Sequence, residues 1–333
     1  MDTKPTCYEP GRKIPEIFYG VPSFMGLPVI HEKSEISNYD IVMMGAPWEG
    51  VVTWGSFSGC ELATKSIRSV SIRYSGFLPE MGFDIFDYLK AGDYGDSPTN
   101  PGDIEKTLLN IQEKVGDVYD AGAIPITFGG DHSITIPVVR ALAARTDGNI
   151  GIIHLDAHMD NMDRYGDELY ARCSPLHRIY EIENVNPENI IHMGIRGPRN
   201  NPKQIAAAKE KGATVLTSFE IKLKGIEYAV DRALEVAKAG TEAVYITVCS
   251  DILDVAYNPG GAVDLNGLTS FELSLILHQL ACAGINGFDI VEISPLSDLN
   301  DVSSHTAVWM SLYVMSGMVK NRFNAEQMIC KLL

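Results

Sequence analysis

The stretch NIGIIHLDAHMD (149–160) joins an apolar run to Asp156, His158 and Asp160, which stand at every second position. The run reads as a strand buried on both faces, the pattern of a parallel sheet. In an extended chain, side chains two apart share a face and lie roughly 6 to 7 Å apart. Two acids and an imidazole gathered there repel one another unless hydrogen-bond donors or a cation sit between them. The stretch is therefore either a capped turn or a metal site. Carboxylates with imidazole suit Mn, Fe, Ni, Co or Zn, and closely spaced acids suggest two ions instead of one.

Outward from this segment, short apolar runs alternate with amphipathic ones. Strands are expected at 40–47, 124–130, 149–158, 189–196, 213–217, 243–251 and 288–295. Asp103 can cap a helix carrying Ile104, Leu108, Ile111 and Val115 at helical spacing and stopping near Gly122. Thr269 and Glu272 form a capping box before an apolar run to Cys282. The stretch from Gly92 to Gly102 reads as a turn-rich loop. No repeat or long linker divides the chain, so we expect one α/β domain over 1–333, a three-layer α/β/α sandwich with a mainly parallel sheet. Residues 1–38 would be an N-terminal extension packing on it. The polar residues cluster where strands finish, at Gly129–Ser133, Asp156–Asp160, Cys249–Asp254 and Glu292, the edge where open parallel sheets bind ligands.

Composition narrows the function. The 333 residues are 45% hydrophobic and 21% charged, enough to bury a large core, and the formal charge of −16 disfavours nucleic acid and anionic membrane surfaces. No run approaches the roughly 20 apolar residues of a membrane-spanning helix, and the start lacks a signal-peptide core, so a cytoplasmic location is expected. Six scattered cysteines without a C-x-x-C pair suit free thiols.

FGGDHS (128–133) ends a second strand with two glycines, which permit close approach of neighbours. GGDHS, then DAHMD, then an acidic strand end, then VEISP (291–295) resembles the arginase and agmatinase family of ureohydrolases. The likeness runs from about Gly45 to the C-terminus, and GAPWEG (45–50) with IRSVS (67–71) resembles the family's early segments. It implies a binuclear metal centre, usually manganese and in some members nickel. It also implies hydrolysis of a guanidinium group to urea and an amine, in trimers or hexamers. Carried across position by position, His132, Asp156, His158 and Asp160 match metal ligands, with Asp156 the bridge. Asp251 matches a further ligand and Glu292 the acid that receives the guanidinium.

Two positions depart from the family's pattern. Where a second bridging aspartate is expected, the strand end reads Cys249-Ser250-Asp251-Ile252-Leu253-Asp254. A shifted register using Asp251 and Asp254 would not keep both acids on one strand face without a bulge, so the register with Cys249 is preferred. A thiolate is soft, which makes nickel, zinc or iron more plausible than in a standard relative, although an inert cysteine in a depleted site is the alternative. In ARCSPLHR (171–178), Arg172 stands where agmatinase-like relatives carry a proton-shuttling histidine. Arginine cannot act as a base. His177 could substitute, or be a surface histidine, and Arg172 could hold an anionic part of a substrate or a carboxylate of a neighbouring subunit.

The expected function is hydrolysis of a small cationic guanidino compound by hydroxide bridging two divalent ions, with Asp160 orienting it. The alternatives are a degenerate subunit, paired in a hetero-oligomer with an active homologue, or a hydrolase of a related amidine or formimino compound. The loops Trp48–Phe57 and Asn161–Arg172 depart from the arginase pattern, which favours agmatinase-like or smaller substrates.

Overall fold

The computed structural model of the chain describes residues 23–53 and 58–323. In chain order the strands are β1 (Ile41–Ala46), β2 (Phe77–Leu78), β3 (Phe83–Asp84), β4 (Ala91–Asp96), β5 (Ile124–Gly129), β6 (Asn149–Leu155), β7 (Ile190–Ile195), β8 (Thr214–Thr217), β9 (Thr241–Cys249) and β10 (Gly287–Val291). Strands β2 and β3 form an antiparallel hairpin, while the other eight make one parallel sheet in the order β4-β1-β5-β10-β9-β6-β7-β8.

Alternate residues of each strand feed separate cores. Ile41, Met43, Ile153 and Ile246 pack with Ile67, Leu273, Val308 and Val314 of the helices Ala63–Ser71, Ser270–Cys282 and Val302–Arg322. On the opposite face, Val42, Met44, Ile152 and Tyr245 meet Ile111, Val115 and Val138 of the helices Ile104–Asp120 and Thr135–Ala143. This is the three-layer sandwich expected from strands apolar on both faces. Each fully buried aliphatic side chain contributes about 1.5 to 3 kcal/mol.

The expected caps are present. The Asp103 carboxylate accepts from the Lys106 amide at 2.9 Å, and Thr269 and Glu272 close a reciprocal capping box. The expected strands are found, but several end earlier. The segment 149–158 is extended only to Leu155, 243–251 only to Cys249, and 288–295 only to Val291. The Gly92–Gly102 reading needs a larger correction, because Ala91–Asp96 is the edge strand β4. Its composition, AGDYGD, runs against strand propensity. It is held instead by Arg68, whose Nε and Nη2 bond Asp93 at 2.8 and 2.9 Å and whose Nη1 pairs with Asp96. Of the expected extension, residues 1–22 lie outside the described residues. Beyond them Phe24 and Met25 are fully buried, with backbone amides bonded to Asp93 and Ser71 at 2.7 Å each. Among the described residues, no helix is long and apolar enough to cross a membrane.

Candidate metal and substrate site

Four neighbouring strands, β5-β10-β9-β6, end side by side, and every polar cluster singled out in the sequence except the far end of one loop lies just beyond them. Their registers are level. Val291 pairs with Cys249 and Leu155 with Val248, so Asp156 and Cys249 leave adjacent strands at the same height. The backbone is strained where it must turn the acids inward. Asp160 has φ 42° and Glu292 φ 63°, values a non-glycine residue adopts at a cost. Glu292 is held by its amide bond to the Gly130 carbonyl at 2.9 Å. Gly130 has no room for a side chain, since a Cβ would lie 1.9 Å from the Trp48 carbonyl oxygen.

Asp156, His158 and Asp160 therefore do not share the face of a strand. They converge through a turn in which the His158 amide donates to Asp156 Oδ1 at 2.6 Å. His132 Nδ1 lies 3.1 Å from Asp156 Oδ2 and 3.0 Å from Asp160 Oδ2. His158 Nδ1 lies 3.1 Å from Asp251 Oδ2 and 3.4 Å from Asp156 Oδ1. Ligand atoms of Asp156, His158 and Asp251 fall within 4.8 Å of one another, as do those of His132, His154 and Asp156, so that Asp156 belongs to both groups.

Hydrogen bonds fix which imidazole nitrogen faces the acids. Thr247 gives its single hydroxyl proton to Asp289 at 2.6 Å and so can only accept from His132 Nε2, 3.0 Å away. The lone pair of a neutral His132 is then on Nδ1, which is buried and has no hydrogen-bond partner. His158 Nε2 lies 3.2 Å from Asp264 Oδ2, at ion-pair distance, while its Nδ1 faces the cluster. Two imidazole Nδ1 atoms gathered with three carboxylates are a donor set that fits divalent cations once the imidazoles are neutral. Burial opposes a charged His132, yet the Asp156 and Asp160 carboxylates beside Nδ1 hold its pKa well above the ordinary imidazole value. Asp156, although buried, is held well below the carboxylate range by His132, His154 and His158.

Cys249 is buried beside Asp156 and Asp251 on the wall of a cavity of about 330 Å³ that also exposes Asp160, Arg172 and Glu292. Burial first, then the surrounding carboxylates, push its thiol well above the normal range, so a thiolate forms here only with added positive charge. Asp254 lies apart, its Oδ1 accepting from the Ala256 amide at 3.1 Å, which leaves Cys249 and Asp251 as the pair turned to the site.

The opposite wall is different. Arg172 is 3% exposed, and its Nη1 donates to Glu292 Oε2 at 2.7 Å while Nη2 donates to Glu49 at 3.0 Å. The carboxylate it holds thus belongs to its own chain. The other oxygen of Glu292 accepts from the His132 amide at 2.9 Å. Burial pushes the Glu292 carboxyl up to about 7, against the pull of Arg172. His177 is not part of this cavity. Its Nδ1 lies 3.2 Å from the Asn161 carbonyl oxygen, and its Nε2 faces Asp163 and Glu181.

Three contributors were not singled out from sequence. His154, two residues before Asp156 on the same strand face, lies with Nε2 3.0 Å from Asp156 Oδ2. Its Nδ1 meets His192 Nδ1 at 2.9 Å, and His192 Nε2 meets the Tyr180 hydroxyl at 2.6 Å. Because an ionised Asp156 only accepts, the protons run one way, from Tyr180 to His192 to His154 to Asp156. The period of two could have found His154. Asp264 and Glu49 sit in irregular segments where no periodicity marks them. Of the expected specificity loops, Trp54–Phe57 lies outside the described residues; Thr53, Met162 and Tyr165 line the cavity. The described cysteines, Cys60, Cys173, Cys249 and Cys282, are free.

Comparison with known proteins finds relatives over most of the chain. The family model described as "Arginase family" matches residues 39–317. Guanidinopropionase of Pseudomonas aeruginosa is 32% identical over 289 residues, 86% of this chain and 88% of that protein. The structure of proclavaminate amidino hydrolase from Streptomyces clavuligerus superposes with a TM-score of 0.82 at 28% identity, covering 91% of this chain and 99% of that one. That of formimidoylglutamase from Bacillus subtilis gives 0.79 at 26% identity, covering 88% and 95%.

Proposed function

Since the chain belongs to the arginase family, whose model spans most of it, we propose that it hydrolyses a C–N bond of a small guanidino or amidino compound at a pair of divalent ions, with urea as the product from a guanidino group. The observation that carries this reading is Asp156, fully buried and common to both groups of ligand atoms. One ion would be held by His132, Asp156 and Asp160 and the other by Asp156, His158 and Asp251, with Cys249 beside them. Bound ions would lower the pKa of water enough to supply hydroxide near neutral pH. Asp160, whose carbonyl oxygen accepts from the Leu176 N–H at 2.9 Å, would accept a proton from that water and orient it. His154, His192 and Tyr180 hold Asp156 in position, and Asp264 does the same for His158. Arg172 keeps its proton at any working pH and holds Glu292.

Manganese and nickel are the metals the family suggests, and the thiol of Cys249 favours nickel, zinc or iron over manganese. Assembly into a homo-oligomer belongs to the same reading and is checked by sedimentation. The decisive experiment is purification with manganese, nickel, zinc or no metal, followed by elemental analysis and assay of urea release from a panel of guanidino compounds. Metal-dependent urea release is expected. Neither bound metal nor urea under any loading would contradict the proposal.

A further inference from the structure

The wall facing the acid cluster already holds a guanidinium, that of Arg172. Nε donates to the Val51 carbonyl at 3.2 Å, Nη1 to Glu292 at 2.7 Å and Ser58 Oγ at 3.4 Å, and Nη2 to Glu49 at 3.0 Å with Asp131 Oδ2 at 3.8 Å. Every nitrogen is engaged, and both oxygens of Glu292 are taken, one by Arg172 and one by the His132 amide. A planar, permanently charged fork bound on all sides in a buried position is a filled seat.

We propose that Arg172 is the resident occupant of the cation seat on Glu292, and that the substrate's reacting group therefore reacts in its uncharged form, which a guanidine made weakly basic by an adjacent acyl group supplies near neutral pH and an alkylguanidine does not. The proposal rests on the hydrolytic reading above for its chemistry, but the filled seat stands on geometry alone. A cationic group entering the cavity would find each Glu292 oxygen already holding a donor, with the Arg172 charge beside it. It would meet Arg172 and the exposed Arg199, itself paired with Asp264, among the lining residues, beside any bound divalent ions. Displacing Arg172 would cost its buried ion pairs. A neutral group avoids that conflict.

The leaving group points the same way. Hydrolysis adds the oxygen of water to the central carbon and breaks a C–N bond, and the departing nitrogen takes a proton that originated on the water. Arg172, the side chain nearest Glu292 on this wall, is no acid at working pH, and Cys60, 3.8 Å from Glu292, keeps its proton because burial and Glu292 push its thiol upward. A nitrogen bearing an acyl group leaves as a carboxamide and needs far less proton donation than an alkylamine. The products are urea and the amide, with no further reactant.

The test has two arms. In Arg172→Gly, guanidinium at millimolar concentration should raise the unfolding midpoint by roughly 2 °C or more relative to potassium at equal ionic strength, while the wild type shows no such rise. In the metal-loaded wild type, kcat/KM for N-acetylguanidine should exceed that for methylguanidine by roughly tenfold or more, and Arg172→His should shift the preference toward methylguanidine. Equal stabilisation of wild type and Arg172→Gly, or a wild-type preference for methylguanidine, would overturn the proposal. If the glycine variant does not fold, the wild-type preference decides by itself. Hydrolysis of neither compound under any metal loading would remove the hydrolytic reading and the substrate class with it, while the guanidinium response still reports separately on the seat.

Discussion

The floor and the wall of this cavity carry similar densities of acid and neutralise them in opposite ways. On the floor Asp156, Asp160 and Asp251 face one another with only imidazoles between them, and His132 Nδ1 is left without a hydrogen bond. On the wall Glu49, Asp131 and Glu292 surround a guanidinium supplied by the chain itself. The contrast teaches that carboxylates in a pocket do not by themselves mark where a cation from solution belongs. What marks it is the absence of a protein cation with donors enough to satisfy them. By that criterion the floor fits divalent cations and the wall is already neutralised.

Substitutions on each side should fail differently. Asp156→Asn removes the carboxylate common to both ligand groups, and we expect loss of bound metal and a fall in kcat/KM on the order of 10³-fold or more, read by elemental analysis and steady-state kinetics. Arg172→Met leaves Glu292 buried without its partner and should cost about 3 to 5 kcal/mol in denaturant unfolding, with metal content retained. Were metal lost with Arg172 as readily as with Asp156, the division between floor and wall would be wrong. His154→Asn breaks the relay behind Asp156 and should weaken metal binding about 10- to 100-fold without abolishing it, measured by titration against a chelator.

A smaller effect comes from outside the cavity and sets the background for these measurements. Burial first, then Lys320, lower the His278 pKa to about 4, while the unfolded chain titrates near 6.5. Between those values the unfolded state binds the extra proton, so stability rises with pH across the window and is lost as pH falls through it. His278→Gln should flatten that dependence by roughly 1 to 3 kcal/mol in unfolding experiments between pH 4 and 7.

The floor was more legible than the wall because its residues sit at strand ends, where apolar runs and the period of two announce them. Asp156, His158, His132, Asp251 and Cys249 all adjoin strands visible as hydrophobic runs, although the turn after Leu155 and the positive φ of Asp160 were not visible. The wall is assembled from Glu49, Cys60, Arg172 and Glu292, joined over more than a hundred positions by hydrogen bonds that leave no periodic trace. Arg172 was noticed in the sequence as a departure, but its partner was not. Strand β4 escaped because its glycines and aspartates imitate a loop and its pairing depends on Arg68. The helix Val302–Arg322 escaped because it is buried around most of its circumference and so lacks a polar stripe.

On the proposed metal reading, the acid floor is tolerable because divalent ions neutralise it, and elemental analysis of the purified chain combined with thermal unfolding before and after chelation tests this most directly. The geometry around Asp156 predicts about two divalent ions per chain and a lower unfolding midpoint once they are stripped. A chain that binds no such ions when they are supplied, and unfolds at the same temperature with and without them, would contradict it.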